Sequence, residues 1–470
     1  MSKDELLHLT ARAAVDLVKR GEIRPVDLVE ASLRRIAATD GAIHAMPTLC
    51  PERARAAAAA ADFASPLAGL PIAVKDLEDV AGVRTTYGSP IYRDHVPARS
   101  DIMVERLEAA GAVVIGKSNT PEFGAGANTY NQLFDDTRTP WNTDLTAGGS
   151  SGGSAAALAA GQVWLATGSD LGGSLRTPAS FCGVVGLRPS PGRVACGPSK
   201  LPFDTLSVSG PMARNVADAA LMLDAMAGRH AEDPLSMEAP GEPFLAAALR
   251  PRPPRRIAYS PDLGICRVAP AVREVVEAAL GRLAGEGVAV EAATPDLADA
   301  PAIFKTLRAV GFAARLREEY ERHRHLLKPE VIWNIEHGRS LSIGAVGEAE
   351  RARGRLYHRM RAFMDGFDLL AVPAAILPPF DVRTRWLAEW EGEAFDNYVE
   401  WLRITYALTL TALPVLCLPC GLTPEGLPVG LQLVGQPRGE GMLITQSAAI
   451  EEVFGVAGAL PIDPRPAKGP

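Results

Sequence analysis

Cysteine is scarce in this sequence: six residues scattered over 470 positions are too few and too dispersed for a disulfide framework, and they fit a reduced, cytoplasmic setting. Basic charge is short as well. A formal net charge of -7 leaves no broad cationic surface, which argues against nucleic acid as a partner. No apolar stretch reaches the roughly 20 uncharged residues of a membrane span. Gly, Pro or charge interrupts each one, so no membrane partner is expected. Residues 1–19 interleave Asp4, Glu5 and Arg12 with apolar residues at helical spacing, where a signal peptide would need a basic start and an unbroken apolar run.

Common catalytic signatures are missing too. The loop GGSSGGS lacks the Gly-Lys-Ser/Thr ending of a P-loop, and no GxGxxG follows a strand, which disfavours nucleotide binding. There is no HExxH, and His323 with His325 reads as a solvated helix, so neither a metal nor another cofactor is implied. No GxSxG elbow is present, and the ordinary Ser-His-Asp arrangement lacks its turn. Cys417 and Cys420 form a lone CxxC inside the apolar run PVLCLPCG, which reads as a strand.

What is present is a globular composition, 47% apolar and 22% charged, able to bury a large core. LTARAAVDLVKRG and PVDLVEASLRRIA predict two outer amphipathic helices, the second opening on Pro25, where a missing N–H costs nothing. An Ala-rich helix over 53–62 precedes a buried strand in LAGLPIAVKDL, with Lys75 near its end. VERLEAAGAVVIGKSN reads helix, glycine, strand, a unit of the α/β class. Residues 210–228 predict a helix capped by Gly228, and 230–256, rich in Pro, Glu and Arg, a surface loop. RIAYS reads as a strand and VREVVEAALGRLAGEG as a helix. LLAVPAA, PVLCLPCG and GLQLVG read as the final strands, ahead of a helix near 441–453.

Two features carry chemistry. Residues 146–182 crowd Gly and Ser around a short Ala-rich helix, as where backbone must approach something closely. Lysine is rare beside arginine here, yet Lys75 lies within the apolar PIAVKDL. Burial disfavours the ammonium and turns a lysine into a usable base near neutral pH. A strand-end lysine reaching out to solvent is the alternative. Lys117, in VVIGKSN, is the other lysine of a strand-like run and is given no role.

The stretch GGSSGGSAAALAAGQVWLATGSDLGGSLRTPAS resembles the amidase signature: a GGSSGG turn, a Gly-x-Asp-x-Gly-Gly-Ser turn, then Leu-Arg-x-Pro. LPIAVKDLEDVAGVRTTYGS, GAVVIGKSNTPEF, FCGVVGLRPSPGRV, GPMARNVADAALMLD and LPVGLQLVGQP resemble further segments of that family in the family's order. The resemblance implies an α/β amidase signature fold, a large mixed β-sheet core with helices on both faces. It implies one domain over 1–470, with core segments about 70–230 and 366–456 and a divergent, substrate-shaping region about 230–400. Residue by residue it makes Ser174 the nucleophile, Ser150 the serine held in a cis peptide, and Lys75 the base. Backbone N–H groups of Leu171, Gly172, Gly173 and Ser174 would form the oxyanion hole, the two glycines leaving room for substrate. Ser151 would orient Lys75, and Asp170 and Arg176 would hold the turn by charge-assisted hydrogen bonds. Ser154, Ser169, Thr177 and Cys182 read as small packing residues.

The resemblance specifies an acyl carbon joined to nitrogen and leaves the substrate open. A small-molecule amide or carbamate (urethane) with an apolar or aromatic group is the preferred partner, and a homodimer stays open. Pocket walls are expected from 124–134 and from 300–400, the latter with Trp333, Trp386 and Trp390, although each Trp also reads as packing. The glutaminase half of a glutamyl-tRNA amidotransferase, its A subunit, is the alternative, and CGPSKLPFDTLSVSGP departs from that pattern after GRV. A non-catalytic scaffold is disfavoured by the joint presence of Lys75, Ser150 and Ser174.

Overall fold

Along the central strands successive apolar residues belong to two separate cores. Ile72 and Val74 pack in one and Ala73 in the other; Val114 is parted in the same way from Val113 and Ile115, and Leu416 and Leu418 from Cys417. Side chains alternate across a sheet, so a strand apolar at every position needs cover on both faces. The computed structural model, which describes residues 3–456 and 458–466, supplies that cover with helices.

In chain order the strands are β1 (Thr48–Leu49), β2 (Pro71–Lys75), β3 (Val113–Ser118), β4 (Leu165–Asp170), β5 (Val185–Arg188), β6 (Val208–Ala213), β7 (Arg256–Tyr259), β8 (Ala289–Ala292) and β9 (Leu369–Pro373). A separate ribbon of β10 (Glu389–Trp390) and β11 (Glu393–Ala394) precedes β12 (Val415–Leu422) and β13 (Pro428–Val434). Eleven strands form one sheet in the order β1-β3-β2-β4-β6-β5-β12-β13-β9-β7-β8. β2 is parallel to β3 and β4, and β7 to β8 and β9; the remaining pairings are antiparallel. This is the expected mixed sheet of the α/β class. Among the described residues no helix is long and apolar enough to cross a membrane.

The parallel pairing of β2 with β4 positions the chemistry. Ala73 lies opposite Ala166. The two strands therefore end at the same edge of the sheet, Lys75 closing β2 and Asp170 closing β4. Ligands of open α/β sheets bind beyond carboxyl ends of this kind.

The N-terminal helices form as their periodicity predicts: Ala11–Lys19 buries Ala11, Ala14, Val15 and Val18, with Thr10 accepting from the Ala13 N–H as cap. Pro25–Ile43 and Pro51–Ala59 follow, and Glu440–Phe454 closes the fold. Two expectations fail. Residues 208–213 are β6, and the helix runs only over Val216–Met226, capped by the Asn215 side chain and ending at Ala227 instead of Gly228. Pairing of Val208–Ala213 with β4 along its whole length outweighs the helical pattern. The stretch 230–256 is not all surface loop, since Phe244–Ala248 is a short helix that buries Phe244, Ala247 and Ala248.

Candidate active site

Two lysines are fully buried on adjacent strands. Lys117 Nζ sits 3.2 Å from an Asp76 carboxylate oxygen and donates to Glu78 O and Thr85 Oγ1, an ordinary compensated ion pair. Lys75 has no carboxylate in that range. Its Nζ lies 2.7 Å from Ser150 Oγ, 2.8 Å from Ser151 Oγ and 3.0 Å from Ser169 Oγ. Burial lowers its pKa toward neutrality, against the opposing charges of Glu78 and Asp170. A neutral amine there donates two N–H bonds and accepts a third, which leaves its lone pair to receive a hydroxyl proton.

Ser150 follows a cis Gly149–Ser150 peptide, and the Ser151 N–H donates to Ser174 O at 3.3 Å, so the two serine-rich turns are joined directly. Ser150, Ser169 and Ser174 line one cavity of about 480 Å³. Ser169, read from sequence as packing, thus reaches the lysine. Its signal was present in the strand period: Thr167 and Ser169 share a face of β4, and Thr167 Oγ1 accepts from the Lys75 N–H at 2.9 Å. Thr167 in turn donates to Glu78 Oε2. Glu78, which sequence reasoning missed, is buried beside the lysine, and burial raises its carboxyl pKa.

Asp170 and Arg176 hold the turn. The carboxylate accepts from the Gly173 and Leu175 N–H groups at 2.8 and 3.1 Å and from Arg176 Nε and Nη2, both at 2.9 Å. Arg176 also donates to Thr405 O, Gln432 Oε1 and Thr409 Oγ1. Burial alone would raise the Asp170 carboxyl; the guanidinium of Arg176, reinforced by Arg188, outweighs it and holds the group well below the usual carboxylate range.

The glycines and the oxyanion hole depart from the sequence reading. A Cβ on Gly173, whose φ is +119°, would fall 2.4 Å from Thr405 Oγ1, and one on Gly172 would fall 3.0 Å from Phe304 Cζ. Glycine is required here by the left-handed backbone and by packing behind the turn, more than by room for substrate. The Gly173 N–H is committed to Asp170. Among the described residues the N–H groups of Leu171, Gly172 and Ser174 have no partner, which narrows the available donors to three.

The cavity wall matches expectation in drawing on 300–400 and departs from it elsewhere. Tyr87, Tyr92 and Phe123 form one aromatic side, with Tyr87 and Tyr92 edge to face at 4.9 Å. Residues 191–209 and the helix Ala300–Arg315 form much of the remainder, while of 124–134 only Gly124 contributes. Trp333, Trp386 and Trp390 do not line it; Trp333 stacks on His337 instead.

Against known proteins, the family model described as Amidase matches residues 27–444. The A-type subunit of the glutamyl-tRNA(Gln) amidotransferase from Anaeromyxobacter dehalogenans (strain 2CP-C) is 37% identical, covering 98% of this chain and 99% of that one. An acylamidase of Rhodococcus erythropolis is 33% identical, again over 98% and 99% of the two chains. The solved structure of 6-aminohexanoate cyclic dimer hydrolase complexed with substrate superposes with a TM-score of 0.89 at 27% identity, over 98% of this chain and 100% of that chain.

Proposed function

Because the chain belongs to the amidase signature family of hydrolases acting on carbon–nitrogen bonds outside peptides, we propose that it cleaves a small amide or carbamate through an acyl-enzyme on Ser174. The observation that carries this reading is Lys75 Nζ held 2.7 Å from Ser150 Oγ, which lines the same cavity as Ser174, with burial of the lysine outweighing the charges of Glu78 and Asp170 that favour its ammonium. Neutral Lys75 takes the Ser150 proton, Ser150 takes the Ser174 proton, and Ser174 Oγ bonds to the carbonyl carbon. The carbonyl oxygen, now negative, is met by the free N–H groups of Leu171, Gly172 and Ser174, each such donor contributing roughly 3–4 kcal/mol. As the C–N bond breaks, the proton returns along the same relay to the departing amine, and water then releases the acyl group. A urethane carbonyl is attached to nitrogen in the same way. The aromatic side of the cavity supports an apolar or aromatic substituent.

A sulfonyl fluoride or fluorophosphonate probe, mapped by mass spectrometry, is expected on Ser174. Ser174→Ala should lose the burst of product entirely, whereas Ser150→Ala should keep slow acylation. An adduct on Ser150, or a surviving burst in Ser174→Ala, would reverse the roles. The glutaminase half of an amidotransferase is kept as a second reading by the 37% identity to one such protein. Glutaminase activity that appears only with a B-type partner, and no turnover of simple amides by the isolated chain, would favour it.

A further inference from the structure

Six carboxylates line the cavity, and each is engaged within the protein, with only Glu78 and Glu319 keeping one buried oxygen apiece without a partner among the described residues. Asp204 meets Arg315 at 2.5 Å, and Glu319 meets Lys200 at 3.2 Å and the Tyr92 hydroxyl at 2.8 Å. Asp79 accepts the Tyr87 hydroxyl at 2.6 Å, and Asp233 accepts the Cys196 N–H at 2.9 Å. Arg308 is different. It is 7% exposed and lines the cavity, yet has no carboxylate within ion-pair range among the described residues. Its one polar partner is the Tyr398 hydroxyl, to which Nη2 donates at 2.6 Å; its Nε is buried with no partner. The guanidinium lies 4.5 Å from the Phe312 ring centroid and 5.6 Å from that of Tyr398. Nearby, Lys328 Nζ is buried without a hydrogen-bond partner over the Tyr130 ring. Burial lowers the pKa of that ammonium against the charges of Glu330 and Glu122, and the charge of Arg308 adds to the lowering.

A buried guanidinium left without an anion is costly, and the fork of its N–H groups matches a carboxylate. Its place along the wall follows from helical geometry. Phe304 abuts the nucleophile's turn at Gly172 and stacks on Tyr406 with centroids 4.2 Å apart. Arg308 stands one turn further along the helix Ala300–Arg315, a rise of about 6 Å. Phe312 follows after another turn.

Resting on the hydrolase reading above, we infer that Arg308 sets specificity by receiving a carboxylate carried by the amide substrate, joined to the reacting carbonyl by a short apolar spacer. The spacer lies along Phe312, which lines the cavity as Arg308 does, and the charge-assisted pair forms only with the acidic substrate.

Two substrate pairs test this on either side of the amide: glutaryl- against pentanoyl-4-nitroanilide, and 4-acetamidobenzoate against 4-acetamidotoluene. In at least one pair the charged member should have the higher kcat/KM by about tenfold or more. Arg308→Met, checked for folding by circular dichroism, should remove that preference, and Arg308→Lys should retain part of it. Neutral members preferred in both pairs, or a preference that survives in Arg308→Met, would overturn the inference. If Arg308→Met does not fold, Arg308→Lys decides, an undiminished preference being the refutation. Calorimetry with glutarate and benzoate on Ser174→Ala gives a readout independent of turnover. Should no anilide be cleaved, the hydrolase reading falls, while heat of binding that depends on Arg308 upholds the inference and its absence overturns it.

Discussion

Lys75 and Lys117 are both fully buried, but only Lys75 Nζ hydrogen-bonds to hydroxyls with no carboxylate in ion-pair range among the described residues, and pH should tell them apart. Burial penalises the Lys75 ammonium, so its pKa in the folded enzyme is depressed. A base that works when neutral is silent below that pKa, so kcat/KM should rise with pH through a value well under that of an ordinary lysine. Lys75→Ala should abolish that limb along with most activity. A limb that persists in Lys75→Ala would assign the titration elsewhere, to Glu78 first. An apolar run marked Lys75 in the sequence, and the Gly-rich motif marked Ser150 and Ser174. The strand period put Ser169 on one face of β4, but its contact with the lysine depends on how β2 and β4 stand in register, while Glu78 follows β2 in a turn whose fold back onto the lysine no period announces.

The turn that carries Ser174 behaves as an element with its own clamp. Asp170→Asn keeps an acceptor for the N–H groups but leaves Arg176 and Arg188 buried without their anion, a loss expected at about 3–5 kcal/mol. Urea denaturation should show this as a lowered midpoint. Gly173→Ala should act differently: a Cβ 2.4 Å from Thr405 Oγ1 on a backbone at φ +119° must displace the turn. Activity should fall about 10²–10³-fold, as when an oxyanion donor is lost. A variant with normal kcat would show that the turn tolerates the shift. Elements with strong periodicity, such as Ala11–Lys19 and Pro270–Gly285, were legible in advance. Val208–Ala213 was not, because GPMA leads straight into the helical pattern that follows and becomes a strand only through its pairing with β4.

Across the whole molecule the sheet is interleaved: β12 and β13 lie between β5 and β9, joining strands from both ends of the chain. Mild proteolysis should therefore nick loops without releasing stable halves. Two separable, folded fragments on gel filtration would contradict the single-domain reading. Composition and alternating elements made the α/β class legible. Of the cavity wall, the share from 300–400 was legible and that from 191–209 was not, since those residues meet the helix Ala300–Arg315 only after the sheet has closed. The clamp on the Ser174 turn has a bearing on biosynthesis. Thr405 and Gln432, which grip Arg176, lie 229 and 256 positions downstream of it. A nascent chain on the ribosome thus displays its serines and Lys75 long before the outer half of that clamp is synthesised. Hydrolytic power should arrive late and all at once, when the last two strands slot into the sheet.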